Sequence, residues 1–563
     1  MNRILLLLLC LAQTLTGIGQ TEPTGTASYD ILIRNGLIYD GSGRKPYKGD
    51  IALRGDHIVA LGRLANVKAA VVVDAKGMAV APGFINVLSH APRSLLQDGR
   101  SLSDLKQGVT TEIFGESSYG PVKTDVARQR ISSLNVSVDW TMLYEFLLKL
   151  EQKGISPNVA AYVSAGFVRT NVLGEEAIKP TPDQLAQMQA LVREEMEGGA
   201  LGVTTALIYP PATFADRDEL VALCREAARY GGRYIVHIRS EGDRLEDGIE
   251  ELIQIEKLAR LPVELYHFKA AGQRNWPKMD QAIARINEAR RQGQAVSVNM
   301  YTYTAGATGL TSCLPPYLFN GGFMAGWKRL QNPEERRKIA EEVRQPTNDW
   351  ENFYALTGSP ENIVLVGFNT DSLKKYIGKT LGQVAAIQGK DPIETVMDLI
   401  VEDKSRVETI YHLMSEENVR KGIRQPWVTF GSDAMSMAAE NKDFGVPHPR
   451  AFGTFARLLG KYVRDEKVIT MEEAIRRLTS LPAAQHKLTN RGLLKSGYFA
   501  DIVIFDPATI VDKATYENPF QYAVGVEHVF INGRQVLKSG EHTGVFPGRA
   551  LWGPGRKEST INR

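Results

Sequence analysis

The chain of 563 residues is poor in cysteine, carries almost no surplus of one charge sign, and has no apolar run long enough to span a bilayer. Each scarcity excludes something. Three cysteines (Cys10, Cys224 and Cys313) cannot frame a disulfide scaffold, so stability must come from buried apolar surface. A balance of 67 basic against 64 acidic side chains makes no field for a polyanion, so nucleic acid is not expected as a partner. No repeat or low-complexity tract is visible, which argues against solenoids and disordered arms. What remains is ordinary globular composition, 43% apolar and 23% charged, over a length that calls for two or more domains.

The N-terminus departs from this. Asn2-Arg3 precede an apolar run over residues 4–12, followed by small residues at Gly17 and Gly19. This reads as a secretory signal peptide over residues 1–19, placing the mature protein in the periplasm or outside the cell. A retained anchor helix is the alternative. Cys10 lies inside the run, against a lipoprotein anchor. No stable membrane span is expected after cleavage. Cys224 sits in a helical pattern and reads as packing. Cys313 lies in an irregular stretch and stays open.

Short alternating strands at 29–33, 50–53, 57–61 and 71–74, with hairpin-turn chemistry at Asn35-Gly36, form a β module over 27–82. The same texture returns over 481–545, so one small β-sandwich built from both chain ends is expected. Between them, residues 83–480 carry eight apolar runs, at 84–88, 109–114, 159–165, 201–207, 234–238, 263–268, 295–301 and 428–431. Helical patterns separate most of them. That alternation predicts an α/β fold, a TIM-like (β/α)8 barrel. A gap of more than a hundred residues precedes the eighth run. It holds a Gly-, Pro- and aromatic-rich insertion at about 304–356, read as a lid, with extra strands at 362–367 and 409–414.

The fifth and sixth runs each close on a histidine, His237 and His267, in YIVHIRSEGD and ELYHFKAAG. Either alone is as well explained by packing as by ligation. Together, at neighbouring strand ends on the face where barrels place their chemistry, they suit a metal such as zinc. Asp433, in FGSDA at the eighth strand end, faces the same cavity and can take and return a proton. Read alone it is equally a turn or cap residue. Glu116, after the second strand, can add the anionic ligand that two neutral histidines need, and competes with a reading as a solvated turn residue. Ser117 is a poor ligand and Glu112 a weaker candidate. His90 is open between ligand, substrate contact and rim histidine. Lys269, Tyr301, Tyr303 and Arg450 suit a carboxylate on the substrate.

In order, the stretches APGFINV, QGVTTEIFGE, HIRSEGD, LYHFKAAG, MYTYTAGATGL, FGSDA, HPRAFGTFARLLGKYVR, LTSLPAA and RGLLKSGYFADIVIFDP resemble the N-acyl-D-amino-acid deacylase (D-aminoacylase) family of the amidohydrolase superfamily. The resemblance runs from about Tyr29 to about Asn532. It implies a zinc-dependent hydrolase that cleaves the linear amide of small N-acyl-D-amino acids, with His237 and His267 on the metal and Asp433 as general base and then acid. Lys269, Tyr301 and Arg450 then hold the substrate α-carboxylate. Three positions depart from the family pattern. Its first-strand His-x-His is Leu88-Ser89-His90 here, its cysteine ligand falls on Ser117 with Glu116 one residue earlier, and a serine contact becomes Ala307. The expectation is one zinc ion with Glu116 as the replacement ligand and His90 as a further candidate. A cyclic amidase or dipeptidase on the same scaffold, and a metal-free exported binding protein, are the alternatives.

Overall fold

The computed structural model describes residues 28–116, 118–132, 135–345 and 349–558. The signal-peptide expectation at 1–19, Cys10 and Ser117 lie outside these residues.

Eight parallel barrel strands, the third in two segments, form two hydrogen-bonded arcs. The first holds Phe84–Ser89, Val109–Phe114 and Asn158–Ala161; the second holds Val163–Ser164, Gly202–Ala206, Arg233–His237, Val263–Leu265, Val296–Met300 and Val428–Phe430. The single run expected at 159–165 is thus broken at Tyr162. The Tyr162 amide donates to Phe114 O at 2.9 Å, while the residues after it pair with the fourth strand. Its hydroxyl is buried against His486 Nδ1 at 2.6 Å, a bond that favours the break. Between last and first strands the barrel closes through one parallel bridge, Ser89 to Ala434, and an Asp433 N–H to Leu88 O bond of 2.9 Å. These two contacts set Asp433 beside His90.

Helices cover the outside because their apolar residues recur at helical spacing. Leu245–Ala259 buries Leu245, Ile249, Leu252 and Ile253 and packs against the sixth strand. Pro182–Gly198 starts with a capping box, Thr181 and Gln184 satisfying each other's backbone amides. Cys224 and Cys313 are both buried and free; packing accounts for each.

The sheet domain is one hydrogen-bonded sheet of nine strands. Ala79–Pro82, from the N-terminal part, pairs antiparallel with Ile502–Phe505, from the C-terminal part. The far edge curls back through a His57 to Phe499 bridge, so the two faces of the expected sandwich belong to a single folded sheet around Ile33, Ile51, Ile502 and Phe530. Asn35-Gly36 is not a hairpin turn. Ser28–Ile38 runs straight through it, with Asn35 left-handed at φ 58° and the register shifted between Ile33 and Gly36. The neighbouring strands are the reason: Asn35 is held by Asp50 and Asp74, and a Cβ on Gly36 would strike Val80, so the pair makes a bulge.

The insertion forms an antiparallel sheet of Ala305–Gly309, Glu408–His412 and Ile363–Gly367 over its own core, which includes Leu310, Phe353, Leu365, Met397 and Tyr411. The segment expected as a lid at about 304–356 therefore shares one core with residues as far as Leu413. Among the described residues, no helix is long and apolar enough to cross a membrane.

Candidate metal and catalytic centre

Both strand-end histidines reach one carboxylate. Glu116 Oε1 lies 2.9 Å from His237 Nδ1 and 3.2 Å from His267 Nε2, and the two imidazoles meet edge to face with centroids 4.4 Å apart. One ligand atom from each of the three fits within 4.8 Å of the others. His237 Nε2 is buried without a hydrogen-bond partner. Two imidazoles, one of them with a buried nitrogen that no hydrogen bond satisfies, and a carboxylate fit a zinc ion with an open position.

The surrounding charges point the same way. Burial and Lys269 would depress His267, but Glu241, Asp433 and Glu116 outweigh them and raise it to about 9. Burial alone would raise Glu116, yet His237 and His267 hold it well below the ordinary carboxylate range. Three carboxylates thus call for positive charge at this point, which a proton or a metal can supply.

His267 is fixed from behind. Its Nδ1 faces Glu241 Oε1 at 2.7 Å, which turns Nε2 toward Glu116, the carboxylate–histidine arrangement that sets a metal ligand's tautomer. Its backbone is left-handed at φ 35°, and its N–H donates to Asn299 Oδ1 at 2.9 Å, with Asn299 anchored by Glu264. Asp433 is also left-handed, at φ 51°. Two non-glycine residues held in this sparsely populated region at the rim mark a site whose geometry is over-determined.

Asp433 Oδ1 lies 2.8 Å from His90 Nε2 and its Oδ2 2.5 Å from Arg450 Nη1. Burial opposes ionisation, but Arg450, His267 and His90 prevail and hold the carboxyl well below its usual range, so it is anionic at neutral pH. His90, Glu116 and Asp433 form a second group within 4.8 Å, sharing Glu116 with the first. Leu88 is wholly buried and contributes nothing to either. Glu112 is also buried, bonded to Ser89 at 2.6 Å and Ser101 at 2.5 Å. It belongs to neither group.

Lys269 Nζ is buried 2.5 Å from Glu241 Oε1 and 5.8 Å from the Tyr301 ring centroid. Arg450 stacks over the same ring at 4.6 Å, and its Nε is buried without a partner, a donor available to a ligand. His448 accepts from the Arg450 N–H at 3.0 Å and fixes that turn. Tyr303 points elsewhere, to Asp512 at 2.9 Å. Sequence reasoning passed over Glu241 and His448; the first was visible only as an acid four residues after His237, the second as the residue before Pro449.

Set beside known proteins, residues 369–537 match the amidohydrolase family profile. A D-aminoacylase of Alcaligenes xylosoxydans xylosoxydans is 31% identical over 93% of this chain and 97% of its own length. This chain belongs to the D-aminoacylase family of amidohydrolases. Among solved structures of the family, the N-acyl-D-glutamate deacylase of Bordetella bronchiseptica, complexed with zinc and a phosphonate mimic of the tetrahedral intermediate, superposes with TM-score 0.79 at 27% identity, covering 93% of this chain and all of that one. A D-aminoacylase described as having a binuclear centre, with one-metal activation and second-metal attenuation, superposes at 0.78 with 28% identity, over 93% of this chain and 99% of that one. The family resemblance and the barrel-plus-sheet fold expected from sequence are thereby borne out.

The turn before Glu116 admits only glycine. A Cβ on Gly115 would collide with the hydroxyl of the wholly buried Tyr266, which sits 3.2 Å from Thr204 Oγ1. Gly115→Ala is expected to displace Glu116 and weaken metal binding at least about tenfold. Chelator competition on the folded variant checks this; unchanged affinity would mean that Glu116 is not held by this packing.

Proposed function

We propose that this protein hydrolyses the amide bond of N-acyl-D-amino acids to a carboxylate and a free D-amino acid, using one zinc ion held by His237, His267 and Glu116. The observation that carries the reading is the convergence of those three side chains on one point. The carboxylate of Asp433, joined to the centre through His90, supports it. The activities named for the relatives point the same way. Leu88 in place of a second first-strand histidine favours a single ion, although the group of His90, Glu116 and Asp433 offers a place for another.

A bound zinc supplies a Lewis acid that brings the pKa of water toward ~7 and polarises a carbonyl oxygen. The protein's own groups do the rest. Arg450 engages Asp433 Oδ2, and Oδ1, which also meets His90 Nε2 at 2.8 Å, takes the proton of the attacking water on its remaining lone pair. The same oxygen returns it to the amine nitrogen as the C–N bond breaks. The free Nε of Arg450, which stacks over Tyr301, and Lys269 near the same ring make a cationic, aromatic cradle for the substrate α-carboxylate. With that carboxylate and the amide both fixed, chirality is read by where the side chain must point. Residues 1–19 support export of the mature protein.

The test is a panel of N-acetyl-D- and N-acetyl-L-amino acids, dipeptides and hydantoins with chiral product analysis. Release of free D-amino acids from the first set, well above the others, is expected. Preferential ring opening of hydantoins, or cleavage of L-dipeptides, would replace this reading by the cyclic amidase or dipeptidase.

A further inference from the structure

Glu351 belongs to the insertion, yet its side chain is buried in the catalytic rim, only 8% exposed. Its Oε2 accepts from Ser240 Oγ at 2.6 Å and its Oε1 from the Glu241 N–H at 2.8 Å. Ser240 Oγ also accepts from the amides of Gly242 at 3.2 Å and Arg244 at 3.0 Å. The turn after the fifth strand is thus wound around one hydroxyl whose proton goes to Glu351. The next residue in that turn is Glu241, whose carboxylate holds both His267 and Lys269.

On its own side, Glu351 is firmly mounted. Asn352 accepts from the Ala355 N–H at 3.1 Å, capping Phe353–Thr357, and donates to Val343 O at 2.9 Å. Trp350 and Phe353 pack into the insertion's core. Burial first, and then the nearby Glu241 and Asp243, push Glu351 up to about 7, so electrostatics disfavour a carboxylate here. A small polar or apolar residue would fill this position without that cost, and what the carboxylate adds is a double acceptor for the turn that carries Glu241.

We propose that Glu351 is a positioning residue that couples the insertion to the metal site and the substrate-carboxylate cradle, acting through Ser240 and Glu241. The assignment of site and cradle rests on the function proposed above. With Glu351 in place, Glu241 is aimed at His267 Nδ1 and Lys269 Nζ; without it, the turn loses two acceptors at once and both charged partners loosen together. The seating of the insertion and the competence of the site become one event.

The test compares Glu351→Ala, Glu351→Gln and Ser240→Ala with the parent protein. Zinc affinity is measured by competition with a chromophoric chelator, KM and kcat with an N-acetyl-D-amino acid, and Tm by calorimetry. Glu351→Ala is expected to weaken zinc and to raise KM, each about tenfold or more, the usual effect of removing a group that orients a ligand. Glu351→Gln should recover most of both, because its amide oxygen still accepts from the Glu241 N–H. Ser240→Ala should shift zinc affinity in the same direction by less. A residue that only held the insertion together would lower Tm and leave zinc affinity and KM unmoved, and that result in Glu351→Ala overturns the proposal. If that variant does not fold, parental zinc affinity in Ser240→Ala overturns it instead. The chelator competition needs no substrate. Weakened zinc in a protein that cleaves no N-acyl-D-amino acid would keep the coupling and discard the substrate assignment.

Discussion

Asp433→Asn is expected to lower kcat by about 10²–10⁴-fold, the span associated with losing a general acid–base group, while zinc stays bound. Asparagine keeps the size of the side chain and one acceptor oxygen for Arg450 but cannot accept the proton of the attacking water. The ion pair with Arg450, 2.5 Å away and with both side chains buried, complicates the choice of variant. Alanine would strand a buried guanidinium, and removing one partner of a buried pair typically costs about 3–5 kcal/mol. Asparagine still accepts from Arg450, so its Tm should fall less than that of the alanine variant. Single-turnover kinetics with zinc analysis on the same sample check the effect. Near-parental kcat in Asp433→Asn would remove Asp433 from the proton path and leave it as the anchor of Arg450.

The second large effect concerns Glu116, the ligand proposed in place of the family's cysteine. Glu116→Ala is expected to weaken zinc by about 10²-fold or more, beyond the range seen when only an outer partner is lost, and turnover should fall with it. Ser117→Ala should leave both near the parent. The grounds are the two short distances from Glu116 Oε1 to His237 and His267, and the depressed Glu116 carboxyl, which those imidazoles stabilise as the anion. The reverse result, with zinc lost in Ser117→Ala and kept in Glu116→Ala, would restore the gapless correspondence to the family and make Glu116 a neighbour of the site.

Much of this centre is legible in the sequence because its members sit at the ends of apolar runs. His237, His267 and Asp433 close strands whose period and length announce them, and barrel register then brings them to one rim. What escapes is whatever depends on contacts between distant residues. Glu241 is one charged residue in a polar turn until the fold places it against His267, and Glu351 meets Ser240 only across 111 positions. The break at Tyr162 is equally hidden: an uninterrupted apolar run reads as one strand, and only the shift of hydrogen-bond partners divides it. Asn35-Gly36 shows a local rule overridden. Its turn chemistry is genuine, but strands on both sides of Ser28–Ile38 convert it to a bulge.

The central claim is that three side chains from the second, fifth and sixth strands hold the ion on which hydrolysis depends. Its most direct measurement is zinc titration of the chelator-stripped protein, following turnover of an N-acetyl-D-amino acid. Activity should be absent at the start, rise in proportion to added zinc, and level off at one equivalent per chain. Full turnover in the stripped protein, or no turnover until two equivalents are bound, would contradict the account.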